Sequence, residues 1–197
     1  MGDRWGHSIH YYDDLLAPLG TGLGRALDVG CGDGHLTLRL RDLAESVVGL
    51  EPHAPSLDLA RARHSAPGVA FVRGDMLDAP FPPASFDAVT CVMALHHVDE
   101  EVALRRLADL VRPGGHLGVI GCGRRTFRDA GWDAIGFVSH RVLSRRHGGA
   151  WFQESPMVWP PPHTWAQFRA LAERTLPGCR YERKVLFRYV LTWTKPS

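Results

Sequence analysis

The 197-residue chain is long enough to bury one substantial core, and its 45% hydrophobic composition belongs to a globular protein. Its 23 basic and 21 acidic residues leave a formal charge of +2, with no polybasic tract to neutralise a phosphate backbone, which argues against a nucleic-acid partner. No apolar run reaches spanning length, the N-terminus has no signal-peptide core, and Cys31, Cys91, Cys122 and Cys179 fall in no metal-ligand or C-x-x-C spacing, so the expectation is a cytoplasmic protein without membrane, disulfide framework or zinc.

Short apolar runs near residues 25–30, 46–51, 69–73, 86–92 and 116–122 read as strands. The helix between the first two runs from Gly34 to Ala44, with leucines at 36, 38, 40 and 43. A second spans Pro55 to His64 and stops at Ala66-Pro67-Gly68; a third, Glu100 to Leu110, stops at Arg112-Pro113-Gly114-Gly115. Strands alternating with helices give a parallel sheet covered on both faces. From Gly123 to Pro162 the periodicity is poor and Arg, Gly, Trp and Phe concentrate, which reads as an insertion over the site. Thr164 caps a last helix through about Glu173, and the alternating runs Arg180–Leu186 and Arg188–Thr194 form a closing hairpin.

The most informative segment is Ala26-Leu-Asp-Val-Gly-Cys-Gly-Asp-Gly-His-Leu-Thr37, an apolar strand that enters three closely spaced glycines and then a helix. Glycines here let the backbone touch a ligand and adopt angles closed to other residues. A dinucleotide fingerprint needs a sixth-position glycine, and His35 holds that place, so NAD is the weaker reading. Asp28, at the end of the strand, suits a cationic amino-acid ligand. A tight strand-to-helix turn that binds nothing is the alternative. The segment resembles motif I of the class I S-adenosylmethionine-dependent methyltransferases.

That resemblance extends over nearly the whole chain and implies the family's α/β fold, a doubly wound, Rossmann-like sheet of seven mostly parallel strands with helices on both faces and an antiparallel C-terminal hairpin. It implies S-adenosyl-L-methionine as cofactor, held by Asp28, Gly30, Cys31, Gly32 and Gly34, and S-adenosyl-L-homocysteine as product. Glu51, about twenty residues past the glycines, matches the acid that accepts from both ribose hydroxyls, with Pro52 and His53 bordering the adenosine; a surface Glu capping the next helix is its alternative. Gly74-Asp75-Met76 matches the adenine site, Asp75 toward the exocyclic amine and Met76 on the purine face. Phe86 and Asp87 resemble structural positions, as does Leu110-Val-Arg-Pro-Gly-Gly115, the family's turn into strand five.

After strand four, Cys91-Val-Met-Ala-Leu-His-His-Val-Asp99 occupies the place where the family faces sulfonium and acceptor. The Asn-Pro-Pro-aromatic motif of amine-methylating nucleic-acid enzymes is missing there, and Ala94-Leu95-His96-His97 is similar to the small "type 11" domains that act mostly on metabolites. Leu95 is assigned to the cofactor wall, His96 is the candidate general base with packing as the equal alternative, and His97 is assigned to structure. The resemblance therefore implies methyl transfer, without a metal, to a small-molecule O, N or C nucleophile such as a specialised metabolite. A cofactor-bound enzyme of cyclisation or rearrangement, and a binding-only homologue, are the alternatives. The whole chain is one such domain, with residues 1–24 as an N-terminal cap and 123–163 as the insertion over the acceptor site. Tyr11 and Tyr12 either shield the sulfonium or pack in the core. Trp132, Phe137, Trp151, Phe152 and Trp159 either line an apolar acceptor pocket or pin the loop to the body.

Overall fold

Seven strands form one sheet in the order β3-β2-β1-β4-β5-β7-β6. The structure, a computed structural model, describes residues 5–151 and 158–197. The strands are β1 (Leu23–Val29), β2 (Ala44–Glu51), β3 (Val69–Arg73), β4 (Phe86–Val92), β5 (Val111–Gly121), β6 (Arg180–Lys184) and β7 (Arg188–Thr194). The first five run parallel, and β7 lies antiparallel between β5 and β6. The five parallel strands and the closing hairpin thus stand where the sequence puts them. Strand five begins earlier than expected, at Val111, so the Pro113-Gly114-Gly115 stretch is part of its first half.

Alternation along the strands divides the core between the two faces of the sheet, as period-two side-chain placement requires. Leu27, Val29, Val89 and Cys91 pack on one face with Leu104 and Leu107 of α4 (Glu100–Leu110) and Phe168 and Leu171 of α6 (Trp165–Thr175). Ala26, Val47, Ala88 and Ile120 pack on the other with Leu15 of α1 (Tyr12–Leu16) and Leu36 and Leu40 of α2 (His35–Arg41). The helix α3 (Ala54–Arg63) packs on β2 and β3. Caps confirm two helix starts: Asp99 accepts from the backbone of Glu101 and Val102, and Thr164 forms a capping box with Gln167.

The insertion departs from the sequence reading. It contains a 17-residue helix, α5 (Ala130–Arg146), in a stretch whose periodicity is poor. The reason is that α5 does not bury an apolar stripe against the sheet: Ile135, Phe137 and Val138 are all more than half exposed. It leans instead on the β6–β7 turn at Gly136, where an added Cβ would meet the Phe187 ring at 2.7 Å.

The chain order places β1 and β4 side by side while β2 and β3 extend to the far side of β1, so the connections leave in opposite directions at the β1/β4 boundary. An open α/β sheet opens a crevice at such a switch, at the carboxyl ends of its strands.

Candidate functional site

That crevice is a cavity of about 340 Å³. Its floor is the turn after β1. Gly30 has φ +67°, and both Gly30 and Cys31 donate backbone N–H bonds to the Leu50 carbonyl at 2.8 and 3.1 Å, which ties the turn to β2. A Cβ on Gly30 would lie 2.3 Å from the Ala94 Cβ, so the loops after β1 and β4 approach as closely as a bare backbone allows. Gly32 has φ +57° and donates its N–H to Glu51 Oε2 at 2.8 Å.

Glu51 is 8% exposed and lines the cavity. Its Oε1 accepts from the His53 N–H at 2.9 Å, so one carboxylate joins the glycine turn to the start of α3 while each oxygen keeps a further lone pair. Asp28 lies deeper, 1% exposed, and lines the same cavity. Thr37 and Thr90 donate their hydroxyls to its two oxygens at 2.7 and 3.1 Å. Burial raises its pKa to about 6 against those hydrogen bonds, with the neighbouring Glu51 adding to the rise. Among the described residues no cation pairs with it.

Of the residues selected from the sequence, the cavity brings together Asp28, Gly30, Cys31, Glu51, Pro52, Asp75, Met76 and His96. Asp75 Oδ1 accepts from the Leu77 N–H at 2.9 Å at the end of β3, and buried Met76 lies beside it. Gly32, Gly34 and Leu95 do not line it. Gly32 instead serves the Glu51 link. Gly34 starts α2 at φ +82° with Phe71 and His64 filling the space its side chain would need, and Leu95 is buried in the core beneath the turn Leu95–His97. Asp87 is structural as expected, accepting from the Arg25 N–H at 2.7 Å and pairing with Arg112.

His96 is buried on the cavity wall. Burial, with contributions from His97 and Arg188, lowers its pKa to about 4, so the imidazole is neutral near pH 7 and is a weak base. His97, expected to be structural, also lines the cavity. Tyr12 lines it, whereas the Tyr11 hydroxyl accepts from the Leu186 N–H at 3.1 Å in the core. From the insertion, Trp151 reaches this cavity, while Phe137 and Trp159 line a second one of about 270 Å³; Trp132 lines neither, and Phe152 lies outside the described residues.

The Gly6–Ile9 stretch, within the N-terminal segment read from the sequence as a cap, lines the wall. Sequence reasoning missed two further parts of it. Met93 has φ +56° at the end of β4, a left-handed residue that only its backbone angle reveals. Arg188, the first residue of β7, looks like one charged residue in an alternating strand. Among the described residues no three His, Cys, Asp or Glu side chains converge into a metal-binding group.

The donor set fits a cationic nucleoside ligand: an acid at the base of the glycine turn with no cation among the described residues, a second acid on the next strand tip, and Asp75 with an apolar neighbour on the third. Residues 27–119 match a family described as "Methyltransferase domain". An uncharacterized methyltransferase of Mycobacterium tuberculosis is 36% identical over 199 positions, with 100% of each chain covered. The S-adenosylmethionine dependent methyltransferase of Mesorhizobium loti superposes with a TM-score of 0.64 at 18% identity, over 96% of this chain and 98% of that one. Phosphoethanolamine N-methyltransferase 2 of Haemonchus contortus, in complex with S-adenosyl-L-methionine, superposes with a TM-score of 0.67 at 15% identity, over 95% of this chain and 53% of that one.

Proposed function

The chain belongs to the class I S-adenosylmethionine-dependent methyltransferases, and on that premise we propose that the cavity between β1, β2 and β4 binds this cofactor and methylates a small-molecule O, N or C nucleophile. The observation that carries the reading is Asp28, a buried carboxylate beside the glycine turn with two hydroxyl donors and no cation among the described residues. A carboxyl group pushed up to about 6 gains most from a positively charged neighbour, because such a ligand restores the charge that burial penalises.

In this reading Asp28, with the Gly30–Cys31 turn, faces the amino-acid end of the ligand. Glu51 uses its remaining lone pairs for the ribose, and Asp75 and Met76 flank the base. The chemistry supplied by bound S-adenosylmethionine is an activated methyl on a cationic sulfur. The protein's own contribution is alignment and exclusion of water: Tyr12 and the Gly6–Ile9 stretch close one side, and His96, His97 and Met93 form the wall after β4. His96 arrives without a proton and can accept one, but its low pKa makes it a weak base. The geometry therefore favours acceptors that are already nucleophilic at neutral pH. The N-terminal residues to 24 and the 123–163 insertion act as cover over the cofactor and acceptor ends. Four free thiols, three of them buried, accord with a reducing cytoplasm, where we place the enzyme.

The test is direct. Calorimetry with S-adenosylmethionine and S-adenosylhomocysteine reads binding, and methyl-labelled cofactor incubated with a panel of acids, phenols and amines reads transfer. Binding together with labelled product supports the reading; a cavity that takes up neither compound ends it.

A further inference from the structure

Arg188 is the only arginine or lysine among the described residues that line the cofactor cavity, and it also lines the second cavity. The two cavities share His7 and Arg188 in their walls, so this side chain stands between the cofactor end and the space beyond. Its Nε donates to Ser8 Oγ at 3.0 Å and its Nη1 to the Phe187 carbonyl at 2.9 Å. Both partners are neutral. Its Nη2 donates to nothing among the described residues, and its electrostatic neighbours are the Cys122 thiol and the Tyr11 phenol, whose own pKa values burial raises.

An arginine keeps its charge in a protein, and a guanidinium withdrawn from water without an anion is costly. Burial accordingly lowers the Arg188 pKa from its ordinary value. Its surface accessibility is intermediate because part of the side chain opens onto the two cavities. The other arginine beside the second cavity, Arg125, has Asp133 at 3.5 Å, so among the described residues Arg188 is the one positive charge there without a carboxylate partner. His7 and His96 add none: burial, helped by Arg188, lowers the pKa of each to about 4. Beyond Arg188 the second cavity is walled by Phe137, Trp159, Trp165 and Phe187.

We propose that the methyl acceptor is a monocarboxylate with an apolar body, its carboxylate held by Arg188 and its body in the aromatic cavity of Phe137, Trp159, Trp165 and Phe187. A carboxylate oxygen, already ionised at neutral pH, forms the bond to the methyl carbon as the methyl–sulfur bond of S-adenosylmethionine breaks, leaving a neutral methyl ester and neutral S-adenosylhomocysteine with no proton to remove. A planar carboxylate matches the guanidinium fork and supplies the ion-pair partner that Arg188 does not find among the described residues; a phosphate would bring a second charge with no partner. The proposal rests on the methyltransferase reading of the adjoining cavity, and it makes Arg188 a specificity determinant that binds the acceptor.

The experiment titrates the protein loaded with S-adenosylhomocysteine with octanoate, phenylacetate, their primary amides and octyl phosphate. The wild type is expected to bind each acid at least about tenfold more tightly than its amide, since only the acid answers the charge. Arg188→Gln, titrated at a concentration of S-adenosylhomocysteine that saturates it, is expected to erase that preference. Arg188→Met, which deletes the guanidinium charge and keeps an unbranched side chain, is expected to raise the melting temperature of the unliganded protein. An acid preference that survives in Arg188→Gln, amides that bind the wild type as well as acids do, or octyl phosphate binding more tightly than octanoate overturns the proposal while leaving the methyltransferase reading intact. Failure of the wild type to bind S-adenosylhomocysteine overturns the cavity assignment itself and the anchor with it.

Discussion

Asp28→Asn separates the electrostatic cost of the cofactor cavity from its shape. Asn has the same size, and its amide can still engage the Thr37 and Thr90 hydroxyls, but it carries no charge to desolvate. Burial raises the Asp28 pKa from 3.8 to about 6. At 1.36 kcal/mol per unit, this amounts to a penalty on the ionised folded state of about 3 kcal/mol, to order of magnitude. The sign follows from the direction of the shift. A carboxyl whose folded pKa is raised has its full stability below its unfolded pKa, near pH 4, and loses it as pH rises through about 6. The stability of Asp28→Asn minus that of the wild type, both unliganded, should therefore climb by most of that, about 2 kcal/mol, between pH 4 and 7 and then level off. Urea denaturation at half-unit pH steps measures it. The cofactor should bind more weakly to the variant, and its binding to the wild type near pH 5.5 should release protons, detectable by calorimetry in two buffers of different ionisation enthalpy. A difference curve flat between pH 4 and 7 would refute the reasoning, because Asp28 would then carry no desolvation cost for a cation to relieve.

Gly30→Ala brings a Cβ to 2.3 Å from the Ala94 Cβ at φ +67°, whereas Gly20→Ala, at φ +71°, meets nothing within 4 Å. The Gly20 variant, at ψ −162° in a region essentially reserved for glycine, should lose only that backbone strain of about 1–3 kcal/mol, and the Gly30 variant, which adds the clash with Ala94, should also lose cofactor affinity. Equal cofactor affinities in the two variants would show that the contact between the two loops has no energetic weight. Glu51→Gln places an amide N–H₂ against the Gly32 or His53 N–H, so cofactor affinity should fall about tenfold or more by calorimetry. His96 has a lowered pKa of about 4 and is already deprotonated above about pH 5, so it should impose no inflection on the wild-type rate between pH 6 and 9. His96→Ala should reduce turnover more than cofactor affinity; an inflection near pH 6.5 that disappears in the variant would show that the imidazole titrates as if exposed.

The five parallel strands, the hairpin and the glycine turn were legible because each is written in short-range spacing. Apolar alternation fixes which face a strand side chain takes, and Gly30, Gly32 and Gly34 mark positive backbone angles wherever the chain goes. Glu51 and Asp75 were legible for a related reason: they close strands whose order the sequence predicts, so a parallel sheet brings their tips to one edge. The α5 helix was illegible because it keeps most of its apolar side chains out of the core, and without a buried stripe there is no 3.6-residue signal to read.

The amino-acid order by itself determined the doubly wound sheet, the crevice at its switch point and the acids around it, since these depend on local periodicity and on the order of connections. Only the packed structure decided what those groups are chemically. Distance in space and depletion of water turn Asp28 into a weak acid awaiting a cation and His96 into an imidazole that is already neutral. They also leave Arg188, some 160 residues beyond Asp28 in the chain, between two cavities and without a carboxylate partner among the described residues. Desolvation and Coulomb interaction are sums over neighbours that the fold assembles from the whole chain, and no window of sequence contains them.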